Sequence, residues 1–258
     1  MRVLYMAMIR TNNAKKKLRD GGTVIALGGA DSPEIVDMLG PSPVDAFWFE
    51  GEHGPVDYAD IGDLTRACDL WGKTSIVRVG WNQENIIYRT LDRGAQSIVV
   101  PHMKSRAIAD EVVAAAKFAP IGRRGMWTSR QGYGVDDYLK RANDETMIVC
   151  LIEDFDALPE LDSILEVDQI DVLLVAQSDF SQSMGMAHMG NPGHPEAVAA
   201  IDETLKRIVA SGTVAGTNVT AESVGKYVDM GVRFFYTNLS DWLAKSADRF
   251  AAAIDSSK

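Results

Sequence analysis

The segment MIVCLIE, residues 147–153, is an unbroken apolar run that ends in a carboxylate. Its length and its β-branched content are typical of a strand in a parallel sheet whose faces are both covered. Two other runs end in a similar way, because TSIVRV carries Arg78 and the aromatic run FWFE is followed by Glu52 and His53. In a barrel of parallel strands these positions converge on one rim, where barrel enzymes place their chemistry.

Eight short apolar runs alternate with segments of helical periodicity along the chain, which is the pattern of repeated βα units. The predicted strands are residues 23–27, 45–49, 74–79, 96–100, 147–152, 171–175, 214–218 and 233–237. The predicted helices are residues 58–71, 84–93, 105–118, 158–166, 195–210 and 221–230. Several end at a glycine suited to a left-handed C-cap, namely Gly72, Gly94, Gly212 and Gly231. The sequence therefore predicts an α/β fold, a single (β/α)8 TIM barrel domain over residues 1–258.

Three segments depart from this alternation. Residues 120–144 have little periodicity, so we expect a long loop there. Residues 181–196 are rich in Gly, Met and Pro and predict a short helix followed by a loop that leads into the helix at Pro195. Residues 241–254 have apolar side chains at helical spacing, which predicts a terminal helix that closes the barrel or packs on another subunit.

Composition argues against several classes of protein. The formal net charge is −10 and no Lys/Arg run is present, so a nucleic acid partner is not expected. Cys68 and Cys150 stand apart in apolar surroundings, which favours buried thiols in a reducing compartment over a disulfide or a metal pair. Because neither a secretion signal nor an apolar stretch of about 18 residues is found, we expect a cytoplasmic protein without a membrane span.

The stretch EGEHGP, residues 50–55, places three ionisable groups directly after a predicted strand. His53 is a candidate general base, because neighbouring carboxylates favour the protonated imidazole. A solvated acidic turn with an exposed histidine is the alternative. Arg78 is a candidate partner of a carboxylate or an anionic ligand, and the alternative is an arginine that extends outward between the helices.

Glu153 and Asp179 each follow a predicted strand, and the two strands are neighbours in the predicted barrel. Two carboxylates together with water and substrate oxygens are a normal ligand set for Mg²⁺ or Mn²⁺. Asp179 is also well placed to cap the following helix. The two roles are compatible, because a helix N-terminus also offers free N–H groups to a substrate carboxylate.

These motifs resemble one family, the class II, metal-dependent pyruvate aldolases typified by 4-hydroxy-2-oxoheptanedioate aldolase, within the phosphoenolpyruvate/pyruvate-domain barrels. The similar stretches are EGEHGP, VRVGWN, LDRGAQSIVVP, GRRG, DYLKRAND, the Ile-Glu pair at 152–153, and SDFSQSMG followed by GHPE. The resemblance implies a modified (β/α)8 barrel, usually a hexamer built as a trimer of dimers, with the last helix exchanged between subunits. It also implies cleavage of a 4-hydroxy-2-oxo acid to pyruvate and an aldehyde, with Mg²⁺, Mn²⁺ or Co²⁺ and no organic cofactor.

The resemblance assigns roles to individual residues. His53 matches the catalytic base, Asp92 the acid that makes that histidine more basic, and Arg78 the arginine that stabilises the developing enolate. Glu153 and Asp179 match the two metal ligands. Ser178 and Asp179 match the positions whose backbone amides receive the pyruvate carboxylate.

Five positions near the expected pocket depart from the family pattern. Glu50 replaces an aspartate, Leu151 replaces a glutamine, Ala176 and Gln177 replace a Gly-Pro pair, and Gly80 replaces a proline. Together with Glu52, Glu50 and Leu151 are expected to surround the residues that contact substrate. These departures leave the identity of the aldehyde open.

Other functions remain as alternatives. A Schiff-base aldolase would need a lysine on a barrel strand, and no predicted strand carries one. A related lyase of CoA thioesters, an oxaloacetate decarboxylase that forms the same enolate, or a non-catalytic ligand-binding protein on the same fold are compatible with the sequence.

Overall fold

A computed structural model describes residues 8–127, 129–185 and 193–257, and in it the eight predicted strands form one closed parallel barrel. The strands pair in chain order, and β1 also pairs with β8. The TIM-barrel prediction is therefore confirmed, with strand ends within two residues of those expected. The strands are β1 Val24–Gly28, β2 Ala46–Glu50, β3 Thr74–Arg78, β4 Ser97–Val100, β5 Met147–Ile152, β6 Val172–Val175, β7 Val214–Asn218 and β8 Phe234–Asn238.

Helices follow most strands and cover the outside of the barrel. Within the described residues they are α1 Asn13–Arg19, α2 Pro33–Leu39, α3 Tyr58–Leu70, α4 Glu84–Asp92, α5 Arg106–Ala116, α6 Tyr138–Glu145, α7 Leu161–Leu165, α8 Gln177–Ser183, α9 Pro195–Ser211, α10 Val224–Asp229 and α11 Leu239–Asp255. The four glycines predicted to end helices all have positive φ, between 63° and 114°. That conformation costs glycine little because it has no Cβ.

The strand sequences are continuously apolar because both faces of each strand are buried. Along β5, Val149 and Leu151 belong to the cluster inside the barrel. The alternate residues Ile148 and Cys150 pack in the layer between the barrel and its helices. Cys150 and Cys68 are both buried free thiols, as predicted, and burial raises the pKa of each.

The prediction of a loop over residues 120–144 is wrong at its end, where α6 forms. Tyr138 and Ala142 pack against Ile9 and Phe118. The side chain of Asn143 accepts from the backbone N–H of Phe118 at 2.7 Å and donates to its carbonyl at 2.9 Å. These partners are distant in sequence, so a short polar helix with few apolar residues gave no local signal.

The helix predicted over residues 158–166 is also different, because it begins as a 3₁₀ helix, Phe155–Glu160, and continues as α7. Pro159 lies within the 3₁₀ segment. Proline lacks the N–H that an α-helical interior requires.

The predicted terminal helix is present as α11, but it contributes little to the core of its own chain. Leu239 is its buried residue, while the apolar side chains of Leu243, Phe250 and Ile254 are exposed. Exchange of this helix between subunits therefore stays a prediction. No helix among the described residues has the length and apolar content needed to cross a membrane.

Candidate active site at the barrel mouth

A cavity of about 180 Å³ opens at the carboxyl ends of the strands. Its apolar wall includes Leu151 from β5 and Leu174 from β6, whose side chains belong to the barrel interior. The remaining lining residues are Trp48, Glu50, Arg78, Ala176, Ser178, Asp179, Asn218 and Tyr236. The cavity therefore combines an apolar wall with one guanidinium and two carboxylates, at the end of the barrel where such enzymes act.

Arg78 points into this cavity and is held by two glutamates of β2 and the turn that follows it. Its Nε lies 2.7 Å and 2.9 Å from the two carboxylate oxygens of Glu50. Its Nη1 lies 2.9 Å from Oε2 of Glu52. The interpretation of Arg78 as an outward surface arginine is thereby excluded. Its pairing with two carboxylates fixes the planar guanidinium at the cavity wall.

Glu50 also shapes the turn that carries His53. Its Oε1 accepts hydrogen bonds from the backbone N–H groups of Glu52 at 2.9 Å and His53 at 3.1 Å. The His53 side chain is 73% exposed, and its Nε2 lies 3.8 Å from Oε2 of Glu52. His53 is not among the described residues that line the cavity. Its imidazole stands at the rim, linked through Glu52 to Arg78.

Glu153 is a buried carboxylate in a region of concentrated negative charge. Its exposed fraction is 4%. Burial raises the pKa of Glu153, and the backbone hydrogen bond and charge of His102 oppose this, whereas the carboxylates of Glu52 and Asp179 raise the pKa further. Oε2 of Glu52 is itself buried and makes no aligned hydrogen bond within the described residues. This oxygen lies 2.9 Å from Nη1 of Arg78 and forms an ion pair with it, but the contact lacks the geometry of a hydrogen bond.

This arrangement fits a divalent cation. The carboxylates of Glu52 and Asp179 lie close enough to Glu153 for their charges to raise its pKa. Of the three carboxylates Glu153 is the buried one, and a buried negative charge is normally compensated by a partner or a metal ion. Carboxylate oxygens are the ligands that Mg²⁺ and Mn²⁺ prefer.

Asp179 and Ser178 lie in the first turn of α8, and both line the cavity. The N-cap of α8 is Ala176, which has no side-chain hydrogen bond to offer. Asp179 lies within the helix, so the prediction that it caps the helix is wrong. Its carboxylate lines the cavity beside the backbone N–H groups of Ser178 and Asp179, which have no partner within the helix.

Gln177, where the family pattern has proline, has a structural task. Its Nε2 donates to Oγ1 of Thr217 and to the carbonyl of Asn218, each at 2.9 Å. Its backbone N–H donates to Oδ1 of Asn218 at 3.0 Å, and Tyr227 donates to its Oε1 at 3.3 Å. Gln177 thus ties the start of α8 to the end of β7, and it fixes two walls of the cavity relative to one another.

Asp92 lies apart from these residues. Its Oδ1 accepts from Nη2 of Arg124 at 2.6 Å. Burial raises the pKa of Asp92, and Arg124 opposes that change. Asp92 lines a different cavity of about 370 Å³, with Arg89, Arg130 and Trp127 among its other lining residues. Within the described residues of one chain no hydrogen bond or ion pair joins Asp92 to His53, so the role that the resemblance gives Asp92 stays a prediction.

His102 is a residue of this rim that the sequence alone did not reveal. His102 follows β4 directly, and its backbone N–H donates to Oε1 of Glu153 at 2.7 Å. Its Nδ1 lies 2.9 Å from Oδ2 of Asp154. Burial lowers the pKa of His102, but the hydrogen bond to Asp154 and the charges of Glu153 and Asp154 outweigh it and raise the pKa. Its position just past a strand end was the available signal.

Comparison with known proteins identifies the family of this chain. The family model described as HpcH/HpaI aldolase/citrate lyase matches residues 9–234. A 4-hydroxy-2-oxo-heptane-1,7-dioate aldolase of Escherichia coli is 31% identical over 248 residues, which cover 93% of this chain and 94% of that protein.

Two solved structures share the fold. One is an HpcH/HpaI aldolase/citrate lyase family protein from Burkholderia cenocepacia J2315, with a TM-score of 0.87, 23% identity, and coverage of 95% of this chain and 100% of the other. The second is the citrate synthase SbnG, with a TM-score of 0.84, 22% identity, and coverage of 96% and 99%. The family match and the identity over nearly the whole length establish that this chain belongs to the HpcH/HpaI aldolase/citrate lyase family.

Proposed function

We propose that this protein is a divalent-metal-dependent aldolase that cleaves a 4-hydroxy-2-oxo acid to pyruvate and an aldehyde, and that catalyses the reverse addition. The observation that carries the proposal is the position of Arg78 and Asp179 on one small cavity, beside the buried carboxylate of Glu153. A relative named as an aldolase, 31% identical over most of both chains, supports the same reaction class.

Glu153 and Asp179 would hold the metal, with Mg²⁺, Mn²⁺ or Co²⁺ as candidates and no organic cofactor. When bound, such an ion acts as a Lewis acid toward the 2-oxo and carboxylate oxygens of the substrate. The concentration of carboxylate charge around Glu153 is the feature of this chain that favours a cation there.

Arg78 would stabilise the negative charge that develops on the 2-oxo oxygen as the carbon–carbon bond breaks. Its Nε and Nη1 are engaged by Glu50 and Glu52, so the guanidinium is oriented before substrate arrives. A preorganised donor of this kind contributes most in the transition state, because it needs no reorganisation during the reaction.

The first turn of α8 would bind the substrate carboxylate. Ser178 and Asp179 line the cavity, and the N–H groups of a first helical turn have no partner within the helix. Leu151 and Leu174 face the same space with apolar side chains, which exclude water from the reacting atoms.

His53 would accept the proton from the 4-hydroxyl group during cleavage. Its exposed position at the rim leaves the imidazole free to meet the part of the substrate that projects from the cavity. Asp92 of the family pattern would support this histidine. Since Asp92 is bound to Arg124 in its own chain, that support would require a different arrangement of the two residues.

A Schiff-base mechanism is not supported. None of the eight described strands contains a lysine, and Lys104 beyond β4 is paired with Asp154 at 2.9 Å. An enamine route needs a lysine directed into the barrel.

The assembly implied by the family resemblance is part of the proposal. We propose a hexamer, arranged as a trimer of dimers, in which α11 packs on a neighbouring subunit. The exposed apolar side chains of Leu243, Phe250 and Ile254 support this, because a solvated helix rarely carries such a surface without a partner.

The deciding experiment incubates the protein with pyruvate, a panel of aldehydes and Mg²⁺, Mn²⁺ or Co²⁺, and detects new carbon–carbon bonds by mass spectrometry. Product should appear only with metal and disappear on chelation. Glu153→Gln should lower turnover at least about 100-fold, since loss of a ligand exceeds the effect of disturbing its surroundings. Asp156→Asn is the matched control, because Asp156 is a neighbouring but exposed carboxylate.

Four results would contradict the proposal in different ways. Turnover that survives chelation or the Glu153 variant would remove the metal from the reaction. Carbon dioxide release from oxaloacetate without aldol product would favour the decarboxylase, and product from a CoA thioester alone would favour the related lyase. Binding of pyruvate and metal without any turnover would indicate a non-catalytic protein.

A further inference from the structure

We propose that His102 supplies a nitrogen ligand to the divalent metal bound through Glu153, and that this ligand makes the site prefer Mn²⁺, Co²⁺ or Zn²⁺ over Mg²⁺. The inference rests on the proposed metal-dependent function. It assigns a role to a residue for which the family resemblance provides none.

The ring of His102 faces the carboxylate that the metal requires. Nδ1 of His102 lies 3.4 Å from Oε1 of Glu153 and 2.9 Å from Oδ2 of Asp154. One ligand atom from each of the three residues lies within 4.8 Å of the others. Neighbouring ligands around an ion with bonds of about 2.1 Å are roughly 3 to 3.5 Å apart. Nδ1 and the Glu153 oxygen therefore already have the separation of two atoms that bind one ion.

The backbone conformation of His102 brings both its N–H group and its ring to Glu153. Its φ is 54°, in the left-handed region that residues other than glycine seldom occupy. In this conformation the main chain N–H reaches Oε1 of Glu153 at 2.7 Å while the ring of the same residue faces the carboxylates. The ring of Trp81, with its centroid 5.8 Å away, packs beside the imidazole. His102 therefore holds the Glu153 carboxylate through its backbone N–H and places its own ring nitrogen beside that carboxylate.

The alternative role for His102 is a hydrogen bond to Asp154. The negative charge of Asp154 does not need the imidazole as its partner, because the other oxygen of Asp154 is paired with Nζ of Lys104 at 2.9 Å. The buried partner is Glu153, which has no lysine or arginine among its described contacts. A metal ion and a proton compete for the same lone pair on Nδ1, so metal binding would replace the proton on that nitrogen.

The identity of the ligand has a consequence for metal choice. A site made only of Glu153, Asp179 and water would be an all-oxygen site, which suits Mg²⁺. Imidazole nitrogen binds Co²⁺ and Zn²⁺ much better than Mg²⁺, and it is an ordinary ligand of Mn²⁺. The presence of His102 therefore predicts a shift toward transition metals.

Pulsed electron paramagnetic resonance of Mn²⁺ bound to the full chain tests the assignment. We expect modulation from an imidazole ¹⁴N in the wild-type protein, absent from His102→Asn and retained in His53→Asn. Asparagine is chosen because it tolerates positive φ and has no imidazole. Circular dichroism of the variants verifies that the barrel has formed.

A competition titration gives a second readout that does not depend on activity. The affinity ratio of Co²⁺ to Mg²⁺ should fall at least about tenfold in His102→Asn. Bound Mn²⁺ with no ¹⁴N modulation, or modulation that survives in His102→Asn, would overturn the role of His102 and leave the aldolase proposal standing. If the wild-type chain binds no Mn²⁺, or binds it equally after Glu153→Gln, the metal site of the proposed function fails as well.

Discussion

Oε2 of Glu50 lies 2.7 Å from Nε of Arg78, and Oε1 of the same carboxylate accepts from that nitrogen at 2.9 Å. The two residues are paired across β2 and β3, where Glu50 and Arg78 stand opposite each other in the register. The family pattern has the shorter aspartate at this position. In this chain the glutamate spans the gap to the guanidinium while also holding the turn that carries His53.

Replacing Arg78 tests its proposed action on developing charge. Arg78→Ala should lower kcat about 100- to 1000-fold, as loss of a preorganised donor does in other enzymes. Metal affinity should change much less, because the ion-pair partners of Arg78 are Glu50 and Glu52, and neither is a proposed metal ligand. Arg78→Lys should recover only part of the rate, since lysine cannot keep both carboxylate contacts. Steady-state kinetics and a Mn²⁺ titration measure both effects, and equal losses in rate and metal affinity would argue for a role in metal binding.

Replacing Glu50 tests how Arg78 and the turn are positioned. Glu50→Gln removes the charge and exchanges one acceptor for a donor, and it should reduce the free energy of unfolding by about 1–3 kcal/mol. Urea denaturation measures the change, with Glu34→Gln on the exposed face of α2 as control. Glu50→Asp should keep the negative charge, but the shorter side chain should not reach Nε of Arg78. A Glu50→Gln protein as stable and active as the wild type would show that these contacts are incidental.

Replacing His53 tests the proposed base. His53→Ala should lower kcat for cleavage about 100-fold or more, because the 4-hydroxyl group would lose its proton acceptor. Steady-state kinetics of wild type and variant provide the measurement. Because the side chain is 73% exposed, unfolding midpoints should be unchanged. A variant that keeps the wild-type kcat would remove His53 from the mechanism.

Lys117 predicts a pH dependence of stability that is unrelated to catalysis. Its side chain is fully buried, with Nζ bonded to the carbonyls of Asn143 and Thr146, and burial lowers its pKa to about 7. The ordinary pKa of lysine is near 10.5, so between these two values the unfolded chain binds more protons than the folded one. Stability should therefore increase as the pH rises above 7, by about 1 kcal/mol per unit between pH 7 and 9.

Urea denaturation at pH 7, 8 and 9 measures this slope, and Lys117→Met provides the comparison. The variant lacks the titrating amine, so the difference in stability between the two proteins should change with pH. Parallel pH dependence of the two proteins would mean that Lys117 remains protonated when buried.

Changes in α11 test the proposed assembly. Leu243→Asp combined with Phe250→Asp places charges on the exposed apolar face of α11 and should produce a smaller species in sedimentation velocity. Val228→Asp alters an exposed apolar residue of α10 and serves as control. A double variant that sediments like the wild type would show that this face is not an interface.

The sequence predicted the eight strands because their information is local. Continuous β-branched runs such as residues 147–152, separated by periodic helical segments, admit few arrangements other than a closed parallel barrel. Polar residues at the ends of those runs also predicted which residues lie at the rim of the barrel. In the structure Arg78, Ser178 and Asp179 line one cavity near Glu153. The family resemblance extended this to proposed roles.

The features that sequence did not reveal all depend on partners distant along the chain. The helix α6 is held by Ile9 and Phe118, and Gln177 replaces a family proline in order to bind Thr217 and Asn218. His102 becomes important only because β4 and β5 are neighbours, which places its ring against Glu153, 51 residues later.

The partner of Asp92 was likewise not predictable from the sequence. The resemblance of LDRGA to the family motif implies a catalytic acid at Asp92, and in the fold of the single chain its carboxylate accepts a hydrogen bond from Arg124. Hydrophobic periodicity therefore determined the barrel and the rim, because burial of apolar faces is a property of each segment. Which polar groups face one another was decided only by tertiary structure, because hydrogen bonds and charges act between atoms that packing brings together.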